Sequence, residues 1–319
     1  MNYPPYEITS KILQLVAAIS QRIGNINAVH LNKPTPELRR KSRIRTIQSS
    51  LEIEGNTLST DQVTAILQNQ RVIAPQKDLL EVQNAILVYD RMMEFRPHLL
   101  LSLRKAHGMM MNGLVEDAGR LRRRSVGIAT GTKVTHLAPP PERLPALMKE
   151  LMDYVKKADE LPLIKSCVFH YELEFIHPFS DGNGRMGRLW QTLILKEYAE
   201  VFGFLPVESI IKERQKAYYD ALSMSDKTGK SNPFIEFMLS VILEALEDLL
   251  STQQRVLGVS ERISFFKNAA GKGWFSRFAY LRYYKDIGTA TASRDLKDAV
   301  DKGVLERNGE RNRAVYRYK

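Results

Sequence analysis

Apolar side chains recur along most of this chain at intervals of three and four residues, the spacing of amphipathic helices. Within residues 7–28 they fall on one face, at Ile8, Ile12, Leu13, Val16, Ile19 and Ile23. Proline and glycine residues divide the rest of the chain into further segments with this pattern. They predict helices over 37–54, from about 60, and over 78–95, 98–113, 142–157, 161–175, 185–199, 208–224 and 232–252. The predicted fold class is therefore mainly α.

Residues 119–140 depart from the helical spacing. Apolar and β-branched residues on both sides of Gly131-Thr132 predict a short β-hairpin there. The run Arg122-Arg123-Arg124 precedes the hairpin and leaves two interpretations open. It could contact a nucleic acid, or it could form a solvated patch that faces a substrate.

The last 50 residues differ from the rest in charge. Twelve Lys and Arg residues stand there against six Asp and Glu, so the region holds over half of the net charge of +11. A capped helix is predicted over 289–303, and a hairpin over 304–316 with its turn at Asn308-Gly309. This order resembles a winged helix-turn-helix, in which Ser293 and Arg294 would begin the recognition helix. Such units bind either DNA or protein.

Composition indicates the cellular compartment in which the protein works. Its one cysteine, Cys167, allows no internal disulfide and fits a reducing compartment. The first residues lack the basic and then apolar order of a signal peptide, and no run of 18 apolar residues occurs. We therefore expect a cytoplasmic protein without a membrane span.

The stretch from His177 to Arg188 carries the candidate chemistry. Gly182 and Gly184 allow a tight loop whose backbone N–H groups converge, and a helix that begins near Arg185 adds its own free N–H groups. Arginines three residues apart lie on one helix face, where their charge opposes the helix dipole unless an anion is bound. Asp181 beside such a phosphate site suits Mg²⁺, and His177 at the loop entrance suits a general base.

These residues match the Fic motif, H-x-F-x-D/E-G-N-G-R-x-x-R, at every fixed position, so the chain resembles the Fic family. Similar proteins transfer AMP from ATP to a hydroxyl group of a target protein. The resemblance implies a Fic (Fido) helical core with a short β-hairpin flap. It also implies ATP and Mg²⁺ as ligands.

The resemblance assigns roles to single residues. His177 would deprotonate the acceptor hydroxyl, Asp181 would hold Mg²⁺, and Phe179 would anchor the loop. Gly184 argues for AMP transfer, since the related Doc kinases carry a bulkier lysine there and bind the nucleotide reversed. The residues implied to bind nucleotide are Glu54, Val134, Thr135, His136, Leu137, Gly182, Asn183, Gly184, Arg185, Met186, Gly187, Arg188, Tyr218 and Tyr219. For the two tyrosines, plain core packing is the alternative.

A second motif lies at the end of the second predicted helix. Glu54 there opposes its helix dipole, just as the motif arginines oppose theirs, so these charges would satisfy each other if they met. A solvated glutamate is the alternative. Ser50, Glu54 and Gly55 match the inhibitory motif S/T-x-x-x-E-G/N of similar proteins, in which the glutamate pairs with the second motif arginine, here Arg188. It then blocks the γ-phosphate seat.

The resemblance suggests three parts: N-terminal helices with the inhibitory motif (1–75), the Fic core (76–252) and a winged-helix-like domain (253–319). The function expected is a self-inhibited protein adenylyltransferase. Its target would dock on the flap near 122–135, and self-modification and a homodimer are further expectations. The alternative is a transcription regulator that reads DNA through 271–319 and senses nucleotide with its core. Use of another nucleotide, or removal of AMP, also stays open.

Overall fold

The computed structural model describes residues 6–28, 34–130, 133–254, 258–271, 273–284, 287–310 and 314–319. For residues 128–130, 133–137, 252–254 and 268 it describes the backbone alone. By its internal contacts the chain divides into two units, Met1–Asn25 with Asn32–Glu247 and Ile26–Leu31 with Asp248–Lys319. Among the helices of the described residues, none combines the length and apolar character needed to span a bilayer.

Helices form most of the described chain as far as residue 254, as the periodicity predicts. In order they are α1 (Ser10–Ala28), α2 (Pro36–Ile53), α3 (Thr60–Leu67), α4 (Gln76–Asp90), α5 (Leu100–Met110), α6 (Leu144–Lys157), α7 (Pro162–Ile176), α8 (Asn183–Tyr198), α9 (Val207–Glu213), α10 (Gln215–Thr228) and α11 (Asn232–Gln254). The predicted hairpin is present as two antiparallel strands, β1 (Gly127–Thr130) and β2 (Lys133–Leu137). Gly131 and Thr132 lie outside the described residues.

Local sequence fixes where α2 and α3 begin and end. The Thr35 side chain accepts a hydrogen bond from the Leu38 amide and begins α2. At the other end, Gly55 takes a positive φ of 92°, which glycine adopts without strain. Ser59 and Gln62 then form a reciprocal capping box that begins α3. The glycine after α2 and the capping box before α3 thus fix the position of the turn between the two helices.

Helices α7 and α8 pack against each other in the core of the first unit. Leu189, Leu193 and Leu195 of α8 are buried, as predicted, and so is Trp190, whose Nε1 donates to the Pro97 carbonyl at 2.9 Å. This close packing depends on Gly187, because a Cβ there would lie 2.6 Å from Cδ2 of His170. Only the short loop 177–182 separates the two helices.

The single helix predicted over 208–224 is wrong. Two helices, α9 and α10, meet at Arg214, whose φ of −108° and ψ of 29° end the first of them. The Arg214 guanidinium forms an ion pair with Glu244. Apolar periodicity continues across this break, so the sequence pattern does not reveal it.

The second unit contains α12 (Val259–Ala270), α13 (Arg277–Tyr283) and α14 (Thr289–Asp301). Its three-stranded antiparallel sheet has the order β3 (Phe275–Ser276), β5 (Val315–Tyr318), β4 (Leu305–Asn308). Ser293 and Arg294 do not begin α14. The helix starts four residues before Ser293, whose hydroxyl donates to the Thr289 carbonyl within the helix.

One buried ion pair stands out in the core of this unit. Asp295 is 0% exposed and receives two bonds from Arg262, at 2.6 and 2.8 Å. The Tyr280 hydroxyl donates to the same carboxylate at 3.1 Å. The pair joins α12 and α13 to α14, among a cluster of aromatic side chains that includes Phe266 and Phe275.

We predict that Asp295→Ala lowers the unfolding free energy of the second unit by about 3 kcal/mol, because it removes the acceptor of a buried pair. Asp298→Ala is the matched control in the same helix. Asp298 pairs with Lys302 at the surface, so its loss should change stability by at most about 0.5 kcal/mol. Urea unfolding followed by amide hydrogen exchange of segments within 258–319 measures both, and equal losses would contradict the prediction.

Candidate functional site

Two unusual backbone conformations shape the loop between α7 and α8. His177 ends α7 in the left-handed region, with φ 49°, while its amide donates to the Leu173 carbonyl at 2.9 Å. Gly182 precedes α8 with φ 83°. A Cβ at Gly182 would also lie 2.8 Å from Sδ of Met111, so glycine is needed there for space as well as for conformation.

Side chains from the core hold the loop from below. The Asn183 amide group both accepts from and donates to the Phe179 backbone, each at 3.0 Å. The buried Phe179 ring stacks on His107, with 3.7 Å between centroids. Nδ1 of His107 accepts from the Gly119 amide at 2.8 Å, so its Nε2 is the nitrogen that donates to the Asp181 carbonyl at 2.9 Å. His107 is thus a core histidine that positions the loop.

The N-terminus of α8 is an anion-binding element. Gly182, the residue before α8, has no side chain that could accept from the amides of the first helical turn, so the amides of Asn183 and Gly184 keep their capacity to donate to an anion. Asp181 lies beside this end with its side chain 52% exposed. One of its oxygens accepts from the Gly182 amide at 2.6 Å. The other lies 3.4 Å from Nη2 of Arg185.

Arg185 and Arg188, each 2% exposed, bring two buried cations to this same helix end. Nη1 of Arg185 lies 3.2 Å from Glu81 on α4, and the other oxygen of Glu81 accepts from Asn56 at 2.8 Å. Nε of Arg185 and Nη1 of Arg188 are buried without a hydrogen-bond partner in the part of the chain that the structure describes. Buried donors of this kind retain capacity for a further anion.

Glu54 and Arg188 form an ion pair. Each charge is unfavourably placed relative to its own helix dipole, and the pair compensates both. Nη2 of Arg188 donates to Oε1 of Glu54 at 2.7 Å and to the Ser50 carbonyl at 3.0 Å. Its Nε donates to the Ser50 hydroxyl at 3.1 Å. Burial alone would lower the pKa of Arg188, but the carboxylate of Glu54 outweighs it and raises that pKa above the ordinary value.

The Glu54 carboxylate also covers the first turn of α8. A Cβ built on Gly184 would lie 2.5 Å from Oε1 of Glu54, 3.1 Å from Nη1 of Arg188 and 3.2 Å from Oε1 of Glu174. The Glu54 carboxylate therefore lies beside the first turn of α8, where a side chain at residue 184 would be. Gly184 leaves room for it because it has no side chain.

A polar layer lies beneath the arginines. The Tyr218 hydroxyl donates to Oε1 of Glu174 at 3.2 Å and lies 3.1 Å from Nε2 of His170. Burial, and then the charge of Glu54, raise the pKa of Glu174 to about 7. Burial lowers the pKa of His170 to about 3. The layer thus holds a neutral imidazole and a carboxyl group that titrates near neutrality.

The residues assigned from the sequence differ in how the structure places them. Tyr218 is 1% exposed and packs in the core with its hydroxyl on Glu174, whereas Tyr219, at 39%, presents its ring to solvent. Val134, Thr135, His136 and Leu137 lie on β2, but their side chains are outside the described part of the structure. Met186 is fully buried beneath the loop.

The arginine run before the hairpin also needs correction. Arg123 and Arg124 are exposed, whereas Arg122 is 3% exposed and reaches the end of α7, where its Nε donates to the His177 carbonyl at 2.7 Å. The solvated-patch and nucleic-acid interpretations therefore fail for Arg122. Three consecutive arginines carry no periodic signal that marks which of them turns inward.

The Asp181 carboxylate is suited to a metal ion that phosphate oxygens of a bound ligand also coordinate. Among the described residues, no three His, Cys, Asp or Glu side chains converge as a metal centre made by protein alone would require. Asp181 is half-exposed at the anion-binding helix end. Mg²⁺ commonly binds one or two carboxylates together with phosphate oxygens, so this residue fits such an ion.

Comparisons with known proteins agree with this geometry. The sequence model of the Fic/DOC family matches residues 100–195. A crystal structure of a Fic family protein from Desulfovibrio desulfuricans is 40% identical with a TM-score of 0.77, and the match covers 99% of this chain and 98% of that one. A structure of Fic-1 from Caenorhabditis elegans, 21% identical with a TM-score of 0.59, is similar in fold over 76% of this chain and 75% of that one.

Curated relatives carry a functional name. Protein adenylyltransferase fic-1 of Caenorhabditis elegans is 31% identical over 206 residues, which is 60% of this chain and 38% of the relative. Protein adenylyltransferase Fic of Nematostella vectensis is 30% identical over 207 residues, 60% of this chain and 45% of the relative. The match thus spans less than half the length of these relatives.

The buried His170 predicts a pH dependence of stability. Its pKa is about 3 in the fold and about 6.5 in the unfolded chain, so below pH 6.5 only the unfolded chain takes up the proton. The contribution of His170 to the unfolding free energy should therefore fall by about 1.4 kcal/mol per pH unit between pH 6 and 4.

Glu174 and Glu208, whose pKa values burial raises to about 7, act in the opposite direction. The test is therefore the difference in unfolding free energy between the wild type and His170→Gln, measured by urea denaturation across this range. A difference that stays constant with pH would contradict the assignment.

Proposed function

This chain belongs to the Fic family, and from that membership and the site geometry we propose that it transfers AMP from ATP to a hydroxyl group of a protein. The observation that carries the proposal is the N-terminus of α8, where two buried arginines share the first turns of a helix that begins six residues after His177. The name of the curated relatives, protein adenylyltransferase, supports the same reaction class.

The proposed reaction is an in-line displacement at the α-phosphorus. The loop formed by Gly182, Asn183 and Gly184 would hold the phosphates, with the amides of Asn183 and Gly184 as donors, and the two arginines would hold the β and γ end. His177 would accept the proton of the acceptor hydroxyl as its oxygen bonds to the α-phosphorus. The bond between the α-phosphorus and the bridging oxygen breaks, and pyrophosphate leaves with the electron pair.

Mg²⁺ would be held by Asp181 together with phosphate oxygens. When bound, the ion neutralises charge that develops on the phosphates. The bond from Gly182 to one carboxylate oxygen orients the side chain toward the helix end, and its exposure leaves room for an ion.

The acceptor would lie along the β1–β2 hairpin. A two-stranded hairpin has free edges, and an extended segment of a target protein can add to such an edge through backbone hydrogen bonds. The segment near 122–135 would thus hold a serine, threonine or tyrosine hydroxyl close to His177. A segment of a second copy of this chain would allow self-modification.

Glu54 would keep the enzyme in a low-activity state. Its carboxylate pairs with Arg188 and lies against Gly184, which is the seat proposed for the γ-phosphate. ATP would then bind without its γ-phosphate in place, and its α-phosphorus would be misaligned for attack. Both partners of this pair belong to one chain, which supports inhibition within a single subunit.

His177→Ala should lower AMP transfer by about 10² to 10⁴-fold, since it removes the general base but none of the proposed phosphate contacts. The measurement is the transfer of label from α-³²P-ATP to protein, with nucleotide affinity measured in parallel. His98→Ala, a half-buried histidine on the turn before α5, is the matched control and should label like the wild type. Full labelling by His177→Ala would remove His177 from its role.

Glu54→Gly should raise AMP transfer at least about tenfold, because it frees Arg188 and the seat in front of Gly184. Glu52→Gly is the control, since it places the same substitution two residues earlier in the same helix, where the side chain pairs with Lys212 at the surface. Intact-mass spectrometry with ATP detects self-added AMP, and label transfer gives the rate. An unchanged rate, with ATP bound, would mean that Glu54 does not inhibit.

A further inference from the structure

Arg122 is a buried cation whose role the sequence did not indicate. The four hydrogen bonds that its guanidinium makes to described residues all end on backbone carbonyl oxygens. Burial lowers the pKa of this arginine, and the charge of Glu142 opposes that effect. Burying a charged group costs free energy, so we expect Arg122 to have a structural role. The four carbonyl groups that accept its hydrogen bonds identify the segments that it joins.

Two of the acceptors lie at the end of α7. Nε donates to the His177 carbonyl at 2.7 Å, and Nη2 donates to the Ile176 carbonyl at 3.3 Å. Carbonyls at a helix C-terminus lack partners within the helix and carry partial negative charge, so a cation is stable there. The backbone amide of Arg122 adds a bond to the Pro178 carbonyl at 2.9 Å. Arg122 thus caps the helix at the three residues around the imidazole.

The other two acceptors flank the hairpin. Nη1 donates to the Arg124 carbonyl at 2.8 Å, three residues before β1. Nη2 donates to the Pro139 carbonyl at 2.6 Å, two residues after β2. One planar guanidinium therefore ties both ends of the hairpin to the residue that carries the imidazole.

We infer that Arg122 is a positioning residue of the transfer reaction: it fixes the distance between the acceptor segment on the hairpin and the imidazole of His177. This inference rests on the proposed function. His177 occupies a left-handed backbone conformation that few non-glycine residues adopt, and such conformations persist only where the surroundings determine them. The bond from Arg122 to the His177 carbonyl is one such restraint.

The geometry requires arginine. The four carbonyls accept from three nitrogens of one guanidinium, whose donors are held in a fixed planar fork. A lysine ammonium carries the charge but offers three donors at one atom, so it cannot reach both the helix end and the two ends of the hairpin. Arg122→Lys therefore keeps the positive charge but removes the hydrogen bonds that join the helix end to the hairpin.

The test compares Arg122→Lys and Arg122→Ala in a Glu54→Gly background with that parent and with Arg120→Ala, an exposed arginine in the same loop. We expect kcat for AMP transfer to fall about 10²-fold in both Arg122 variants, the cost of a small misplacement of reacting groups. The affinity for ATP should stay within about twofold, since the phosphate contacts are on α8. Arg120→Ala should match the parent.

Two further measurements separate positioning from general damage. Guanidinium chloride at millimolar concentration should restore part of the activity of Arg122→Ala, whereas sodium chloride should not. Without nucleotide, amide hydrogen exchange of peptides that cover 127–137 should be at least tenfold faster in both Arg122 variants. If Arg122→Ala does not fold, Arg122→Lys carries both the kinetic and the exchange test.

The outcomes are distinct. A parent that binds ATP and transfers no AMP defeats the proposed function, while faster exchange of the hairpin still supports the tie that Arg122 makes. Unchanged exchange, or a kcat equal to that of the parent, overturns the inference about Arg122. A loss of ATP affinity that matches the loss of kcat would also overturn it, because the residue would then act on nucleotide binding.

Discussion

The structure depends on a positive helix end that is kept buried. The N-terminus of α8 brings together uncapped amides and the guanidinium groups of Arg185 and Arg188, both nearly inaccessible to water. Such a concentration of positive charge is unfavourable unless anionic groups compensate it. Two carboxylates from N-terminal helices do so, Glu54 at the end of α2 and Glu81 on α4. The N-terminal helices are therefore part of the electrostatics of the site.

In this arrangement the Glu54 carboxylate and a bound phosphate would compete for the same binding site. The carboxylate of Glu54 lies in front of Gly184, where a phosphate would need to be, and it pairs with a guanidinium that a phosphate would also bind. Glu174 lies near the same point, and burial, followed by the charge of Glu54, raises its pKa to about 7. Under the proposed function, self-inhibition and nucleotide binding would be two occupancies of the same pocket.

Local chemistry explains what the sequence predicted well. Glycine spacing and a helix start are short-range features, so the loop 177–182 and the start of α8 were accessible from the pattern. The meeting of Glu54 with Arg188 was predicted through the resemblance to the Fic family, since the pattern alone left a solvated glutamate as the alternative. Long-range features were not. The inward turn of Arg122 depends on carbonyls 54 and 55 residues away, and the break at Arg214 leaves the apolar periodicity intact. The different exposure of Tyr218 and Tyr219 likewise depends on partners from other helices.

The most direct measurement is a crystal structure of the Glu54→Gly variant with magnesium and a non-hydrolysable ATP analogue, beside the wild type treated identically. The variant should hold the triphosphate against the amides of Asn183 and Gly184, with the γ-phosphate bonded to Arg188 and the α-phosphorus facing His177. In the wild type, the γ-phosphate should be absent from that seat. A triphosphate bound elsewhere, or an empty seat in the variant, would contradict the account.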